Sequence, residues 1–420
     1  MRRILLAGLC VALTMTVMAS SPESKEKKWG VKLSGFVKTD MMVDTRQTVS
    51  AREGHFLLWP AAEKLDKNGK DINDKLNTNF LSLQSRLTVK ITGPDAFGAK
   101  TSGVIEGDFF AQKNDNVNLF RMRHAFVKLN WEKSELMVGQ YWNPLFITDC
   151  YPATISFNSG VPIVSFARNP QIRFTHKLGS FKLMGAAVTQ RDHSSRGPEG
   201  VSSSYLRNAG VPDLHAQLHY GVTAANGVKL VTGVGMATKW IVPRLESNGY
   251  KVDEKVNGTS FIGFAKLTTK PLTFKVAASH GENLADVLNI GGFAVKEVKD
   301  AETGEQKYTP LTNTNMWTDI HTNGKKWQVG IFAGVTKNNG TKDKISATTN
   351  AVYGLGTDIK QLIRVSPRFF VNSGKMRFGV EWEHTVAKMV TSTKRDLNAL
   401  PVDVKNITNN RFLASVYYFF

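Results

Sequence analysis

The chain has 420 residues, of which 54 are Lys or Arg and 35 are Asp or Glu, for a formal charge of +19; 41% of residues are hydrophobic. That composition is too apolar for a disordered chain. Beyond about the first twenty residues no apolar run reaches the roughly 18–20 residues a spanning helix needs, which excludes a helical membrane protein. The positive charge leaves nucleic acid, an anionic membrane surface or acidic ligands to be told apart.

At the N-terminus, Arg2 and Arg3 precede an apolar run from Ile4 to Met18, and Val17-Met18-Ala19 offers a small-residue cleavage site. Residues 1–19 are therefore expected to be a cleaved signal peptide. Cys10 follows Leu9, where a lipoprotein site wants a small residue, so no lipid anchor is read. The mature chain keeps only Cys150, so no internal disulfide can form. A secreted chain without such cross-links needs extensive backbone pairing or a large core.

The dominant signal after the leader is a period of two. Val31–Val43 sets Lys32, Ser34, Lys38, Asp40 and the following Asp44 on a polar side. From Leu81 to Ile91 one face reads Leu81, Leu83, Ser85, Leu87, Val89, Ile91, and the other Ser82, Gln84, Arg86, Thr88, Lys90. Gln171–Leu178 and Lys375–Val386 repeat the pattern. Such alternation predicts half-apolar strands. Sixteen are placed, starting near Val31, Asn79, Thr101, Leu119, Glu135, Pro170, Phe181, Asp213, Val228, Gly258, Leu272, Thr314, Lys326, Ile359, Lys375 and Asn406. Alternate connections are brief, such as Trp131–Ser134, Gly179–Ser180 and Ser373–Gly374. The others are long and polar, from Arg46–Thr78 and Asn143–Asn169 to Lys388–Lys405.

A soluble sandwich has no reason to sort its loops in this way, whereas a transmembrane barrel does. The expectation is an all-β fold: a transmembrane antiparallel β-barrel over 31–420, with 20–30 a short periplasmic lead-in. Backbone groups in hydrocarbon must all be paired, so the sheet has to close, and sixteen strands enclose a lumen too wide for side chains to fill. Residues 143–169 are the candidate constriction loop. They carry Phe146, Ile147, Tyr151, Phe157, Val161, Ile163, Val164 and Phe166, which suit an outer surface poorly. At the C-terminus Tyr417, Tyr418, Phe419 and Phe420 can anchor at the lipid–water interface, as can Trp131, Trp327 and Trp382 near other strand ends.

Parity assigns the lumen its charges. Arg86, Arg121, Arg123, Arg173, Arg364, Arg368 and Arg377 face inward, with Arg168 ending the infolded segment. Asp40, Glu106, Asp108, Glu381 and Glu383 are the inward acids, expected to form an opposing row and a transverse field. An excess of guanidinium predicts a preference for small anions, which its planar fork grips at two points. His124 and Lys128 fall on the lipid parity of the fourth strand, which requires a subunit interface, a bulge or snorkelling of Lys128.

Three segments resemble the DcaP-like outer-membrane porins: Ser34-Gly35-Phe36-Val37-Lys38-Thr39-Asp40, Arg121-Met122-Arg123-His124-Ala125-Phe126-Val127, and Gly139-Gln140-Tyr141-Trp142. The resemblance covers the leader, the first six strands and the terminal Phe, which looks like an outer-membrane assembly signal. It implies a bacterial outer-membrane homotrimer of sixteen-stranded porins passing small anionic solutes such as dicarboxylates and aromatic acids. It also implies that Arg121 and Arg123 contact anions in the lumen. A phosphate-selective porin would suit the basic lumen as well.

Other classes fit less well. An enzyme needs a nucleophile, base and orienting group on adjacent strands; His215, His219, Asp213 and His280 have no serine at a telling spacing. Asp66–Asp74 is similar to a calcium loop, but Gly69 comes too early and Asn68 takes an acid's place. No cofactor and no metal are implied. A plugged receptor needs a longer N-terminal region, and nucleic acid needs one basic patch instead of charges alternating through strands. A non-conducting adhesin or structural barrel stays open. Outer loops and rims would meet lipid and lipopolysaccharide phosphates.

Overall fold

The computed structural model describes residues 29–111 and 114–420; the expected leader 1–19 and nearly all of 20–30 lie outside them. Sixteen antiparallel strands form one closed barrel, each paired to its sequence neighbours. They are β1 (Gly30–Asp44), β2 (Asn77–Leu81 continued by Arg86–Thr92), β3 (Lys100–Asp108), β4 (Arg121–Asn130), β5 (Ser134–Trp142), β6 (Arg168–Leu178), β7 (Phe181–Val188) and β8 (Asp213–Thr223). The second half comprises β9 (Lys229–Ile241), β10 (Val256–Thr268), β11 (Leu272–Glu282), β12 (Gln306–Thr322), β13 (Trp327–Thr341), β14 (Ile359–Ser373), β15 (Met376–Val390) and β16 (Val404–Phe419). The seam closes between β1 and β16, in register from Phe36 opposite Phe419 to Asp44 opposite Arg411. Among the described residues every wall strand is paired to a neighbour on both sides, as a lipid-facing wall requires.

Short turns close one end of the barrel, as between β6 and β7 where only Gly179 and Ser180 intervene. Gly179 there adopts φ 60°, a conformation a side chain would resist. Long loops crowd the other end. Strand starts agree with the sequence expectation within two residues, except in β12. That strand begins at Gln306 instead of Thr314, because its polar first part runs past the wall and pairs with a loop strand, Gly291–Val298. The second strand also departs from expectation. A turn at Ser82–Ser85 interrupts the predicted continuous alternation, so Phe80 faces out while Leu81 and Leu83 turn inward.

The burial pattern is inverted relative to a soluble protein. Val37, Met41, Val127, Phe261, Val329 and Phe412 are exposed on the outer wall, while Lys38, Arg364 and Glu383 are each 0% exposed inside. Apolar groups can stand outward in such numbers only where the surroundings are apolar too. The largest apolar cluster sits within the barrel. Phe56, Leu58 and Trp59 from the β1–β2 loop, Phe146, Phe157 and Ile163 from the β5–β6 segment, and Leu284, Val287 and Ile290 from the β11–β12 loop pack together there. Trp317, Phe332 and Leu362 of the wall complete it.

Candidate permeation site

The inward wall of β2–β6 takes its chemistry from one irregularity. In the β3–β4 ladder Gly107 pairs with Met122 and Glu106 with His124, so Arg123 is an extra residue. The bulge shifts parity by one. Arg121, Arg123 and His124 are all buried inside, Met122 and Val127 face out, and Lys128 is carried inward with Phe126. His124 and Lys128 thus leave the lipid parity that strict alternation gave them.

Around the bulge guanidinium and carboxylate groups interlock. Arg121 Nε donates to Asp108 Oδ1 at 2.7 Å, and Arg123 donates from Nη1 to Asp108 Oδ2 at 2.9 Å and from Nε to Glu106 Oε1 at 2.8 Å. Arg86 Nε stands 3.7 Å from the same Glu106 oxygen. Arg168 grips Asp192 through Nη2 and Nε at 2.7 and 2.9 Å, and Arg121 Nη1 is 3.6 Å from that carboxylate. Burial alone would raise the Asp192 acid, but Arg168, His193 and Arg121 outweigh it and hold the carboxyl far below its ordinary range. Burial, with Arg168, Arg52 and Arg121, draws the His193 imidazole down to about 4 against the pull of Asp192. At neutral pH His193 therefore adds no charge. Arg121 Nη2 and Arg168 Nη1, both on buried side chains, have no hydrogen-bond partner among the described residues. The planes of Arg123 and Arg168 lie 5.8 and 5.0 Å from the Trp142 ring, which fixes both forks from one side.

Below this cluster lies a cavity of about 730 Å³ lined by Arg86, Lys90, Glu106, Arg123, His124 and Lys128 together with Tyr141, Trp142 and Phe157. A smaller recess of about 280 Å³ adjoins it, with Arg173, Lys177 and Lys182 on its wall. Arg173 is steered by Gln171 Oε1 at 2.9 Å and the Trp142 carbonyl at 2.6 Å.

The far wall uses its charges differently. Arg364 donates to Thr385 Oγ1, the Val161 carbonyl and the Leu58 carbonyl at 2.9, 2.6 and 2.8 Å. It thereby fastens two loops to the barrel. Arg368 is spent on Asp319, 2.9 Å from Oδ2. Arg377 donates to Asn372 Oδ1 at 2.7 Å and lies 4.8 Å from the Phe370 ring centre. Among the acids, Asp40 joins Lys38 at 3.1 Å, His55 at 2.7 Å and the Ser415 hydroxyl. Glu381 accepts from the Ile155 amide, and Glu383 from Asn158 Nδ2 at 2.9 Å.

The acids expected to form an opposing row divide between two places, Asp40, Glu381 and Glu383 on β1 and β15, and Glu106 and Asp108 on β3. Glu106 and Asp108 lie beside Arg86, Arg121 and Arg123 on adjoining strands, and Glu381 lies cross-strand from Arg368. Neighbouring strands only about 4.8 Å apart let opposite charges neutralise locally, which two separated walls cannot do.

Segment 143–167 runs inside the barrel against these groups. Besides Ile155 and Asn158, Ala153 donates its amide to Asp319 Oδ2 at 3.2 Å, Lys38 Nζ donates to the Ile155 carbonyl at 2.9 Å, and Gln217 Nε2 to the Pro144 carbonyl at 2.6 Å. Asp149, at the segment's near end, takes Lys182 at 2.5 Å and His219 Nδ1 at 3.0 Å. Asp192, Lys90, Lys182 and the buried pair Asp44–Arg411, 2.6 Å apart, are participants that sequence reasoning did not single out. Lys90 was on the polar parity already; Asp192 sits in a loop, where parity says nothing. The Asp66–Asp74 loop closes on itself, with Asp66 Oδ1 accepting the Asn68 and Lys70 amides at 2.8 Å and Asp71 paired to Arg46 at 2.7 Å.

A closed sixteen-strand barrel with an apolar exterior, a charged interior and chain segments folded into its lumen defines the porin class of fold. No family model and no curated protein matches the sequence. Solved structures do. The outer membrane channel DcaP of Acinetobacter baumannii aligns over 93% of this chain and 97% of its own, with a TM-score of 0.68 and 18% identity. An anion-selective porin from Comamonas acidovorans aligns over 94% and 100%, at 0.54 and 10%. The outer membrane protein OmpT of Vibrio cholerae aligns over 94% and 99%, at 0.51 and 13%. The chain thus has the fold of the DcaP-like porins that its motifs resemble.

Proposed function

We propose that the chain is a porin of the bacterial outer membrane, cleaved from its signal peptide, that lets small hydrophilic and preferentially anionic solutes diffuse through a water-filled channel. It acts without a cofactor and without catalysis, and assembles as a homotrimer. The observation that carries the anionic preference is the wall of β2–β6. Arg86, Arg121, Arg123, Arg168 and Arg173 there outnumber the acids they pair with, Glu106, Asp108 and Asp192. Arg86 and Arg123 with Lys90 and Lys128, and Arg173 with Lys177 and Lys182, line the open cavities. A surplus of fixed donors in a confined lumen lowers the barrier for carboxylate or phosphate more than for cations. Segment 143–169 narrows the channel, because its backbone is held across the lumen by carboxylates and cations of several strands. Uptake into proteoliposomes tests the reading. A small dicarboxylate should enter several-fold faster than a diamine of similar size, and equal rates would refute the anionic preference.

A further inference from the structure

The outward face of β14, β15, β16 and β1 carries two features that permeation does not use. The first is a groove. Phe369, Val380, Ala414 and Met41 form one lateral row by strand register, and Trp382, Phe412 and Val43 form the next row toward the long-loop end. Trp382 and Phe412 stack, ring centres 6.4 Å apart and 8° from parallel. Small Ala414 among larger neighbours leaves two adjoining apolar hollows of about 580 and 600 Å³, which share Met41, Phe369, Val380 and Ala414.

The second feature stands above the groove. Lys388 lies six positions beyond Trp382 on the same outward parity, and both are exposed. Register carries a polar row sideways from it: Lys388 faces Asn406 on one side and Gln361 on the other, and Gln361 faces Lys337. Lys337 is exposed as well. Lys342 and Lys405 pair with Glu282 and Glu63, but among the described residues neither Lys337 nor Lys388 has an ion-pair partner. The acids of β12 and β15, namely Asp319, Glu381 and Glu383, are buried on the inward side.

Depth ties the two features together. A rise of about 3.3 Å per residue at a tilt near 45° puts Lys388 about 28 Å above Met376 at the short-turn rim, the top of an apolar band about 25 Å tall. Lys337 and Lys388, separated by one strand, are about 10 Å apart across the sheet. Two ammonium groups without an ion-pair partner among the described residues thus stand near the upper edge of the band, over a groove at acyl-chain level, on strands whose acids all face inward. The rim carboxylates Asp358 and Asp403 are taken up by Arg395 and the Ser392 hydroxyl.

We infer that this face binds a phosphorylated, multiply acylated glycolipid of the lipid A class, with phosphate at Lys337, Gln361 and Lys388 and acyl chains in the groove. The inference rests on the outer-membrane location proposed above and not on anion permeation. Charge complementarity selects the occupant: cations at the lipid boundary gain from headgroup phosphates, and a neutral lipid offers them nothing. The full chain in detergent, mixed with lipid A or with the same lipid dephosphorylated, is examined by native mass spectrometry. Wild type should retain lipid A at least ten-fold more than the dephosphorylated lipid. K337Q/K388Q should lose that margin while keeping its conductance and its heat-modifiable gel shift. Ala414→Phe, which fills the groove, should lower retention of both lipids. Equal retention of the two lipids, or no loss in K337Q/K388Q, overturns the inference and leaves the channel reading intact. Efficient disulfide cross-linking of Ala414→Cys between two copies in native membranes would also overturn it, assigning the face to a subunit contact.

Discussion

Arg123 and His124, neighbours in the chain, both point into the barrel, because Arg123 is the extra residue of a bulge opposite Gly107 and Glu106. In a regular strand one of the two would face lipid. The bulge places a third inward group beside Arg121 and Arg123 and brings Lys128 to the cavity wall.

Reversing the two arginines should reverse the preference they create. R121E/R123E exchanges two cations for two anions beside Asp108 and Glu106, where the present ion pairs are 2.7 to 2.9 Å long. The anion-to-cation permeability ratio, read from zero-current potentials, should fall several-fold. R121Q/R123Q should fall between wild type and the reversal.

Arg364 should act on pore width instead of selectivity. Its three donors hold Val161, Leu58 and Thr385, and Glu383 lies 3.9 Å away. Arg364→Met strands a buried carboxylate and frees two loops, at a cost of about 3–5 kcal/mol. Channel recordings should show larger, noisier openings with an unchanged permeability ratio, and the heat-modifiable transition should move to lower temperature. A changed ratio with unchanged noise would assign Arg364 to anion contact.

Deleting Ala153–Pro162 removes the segment that Asp319, Glu381, Glu383 and Lys38 hold. Single-channel conductance should rise at least two-fold. The barrel should also lose stability, since each orphaned buried polar group costs about 1–3 kcal/mol. Unchanged conductance would show that 143–169 does not limit flow.

His193 gives a pH dependence of definite sign. Its folded value of about 4 lies below the ordinary imidazole value of 6.5. The unfolded chain thus takes up the proton first as pH falls. The stability at stake is fully present above pH 6.5 and is lost between 6.5 and about 4. The thermal midpoint of wild type should drop over that window, and His193→Gln should flatten the drop. Identical pH profiles would place the sensitivity elsewhere.

The barrel was legible because alternation, loop sorting and a terminal aromatic strand are properties of single residues along the chain. Strand starts such as Phe181, Asp213 and Leu272 coincide with the structure. What alternation could not reveal is where it breaks. The bulge at Arg123 and the turn at Ser82–Ser85 change parity without a local sequence mark, since polar and apolar residues both tolerate them. Pairing was hidden for a related reason. Parity says that Arg364 and Asp40 face inward, but not that one holds loop carbonyls and the other meets Lys38 and His55. The Leu58 carbonyl that Arg364 holds and the His55 that Asp40 meets come from a loop 306 and 15 residues away in the chain. Arg86 and Arg173 stay near open space, with Lys90 and Lys182 beside them on the cavity walls.

The most direct test is the zero-current potential of the purified chain in a planar bilayer across a tenfold gradient of potassium chloride. An anion-preferring pore should give a potential displaced toward the chloride equilibrium value, with stepwise insertions. A displacement toward the potassium value, or no conductance at all from correctly folded protein, would contradict the account.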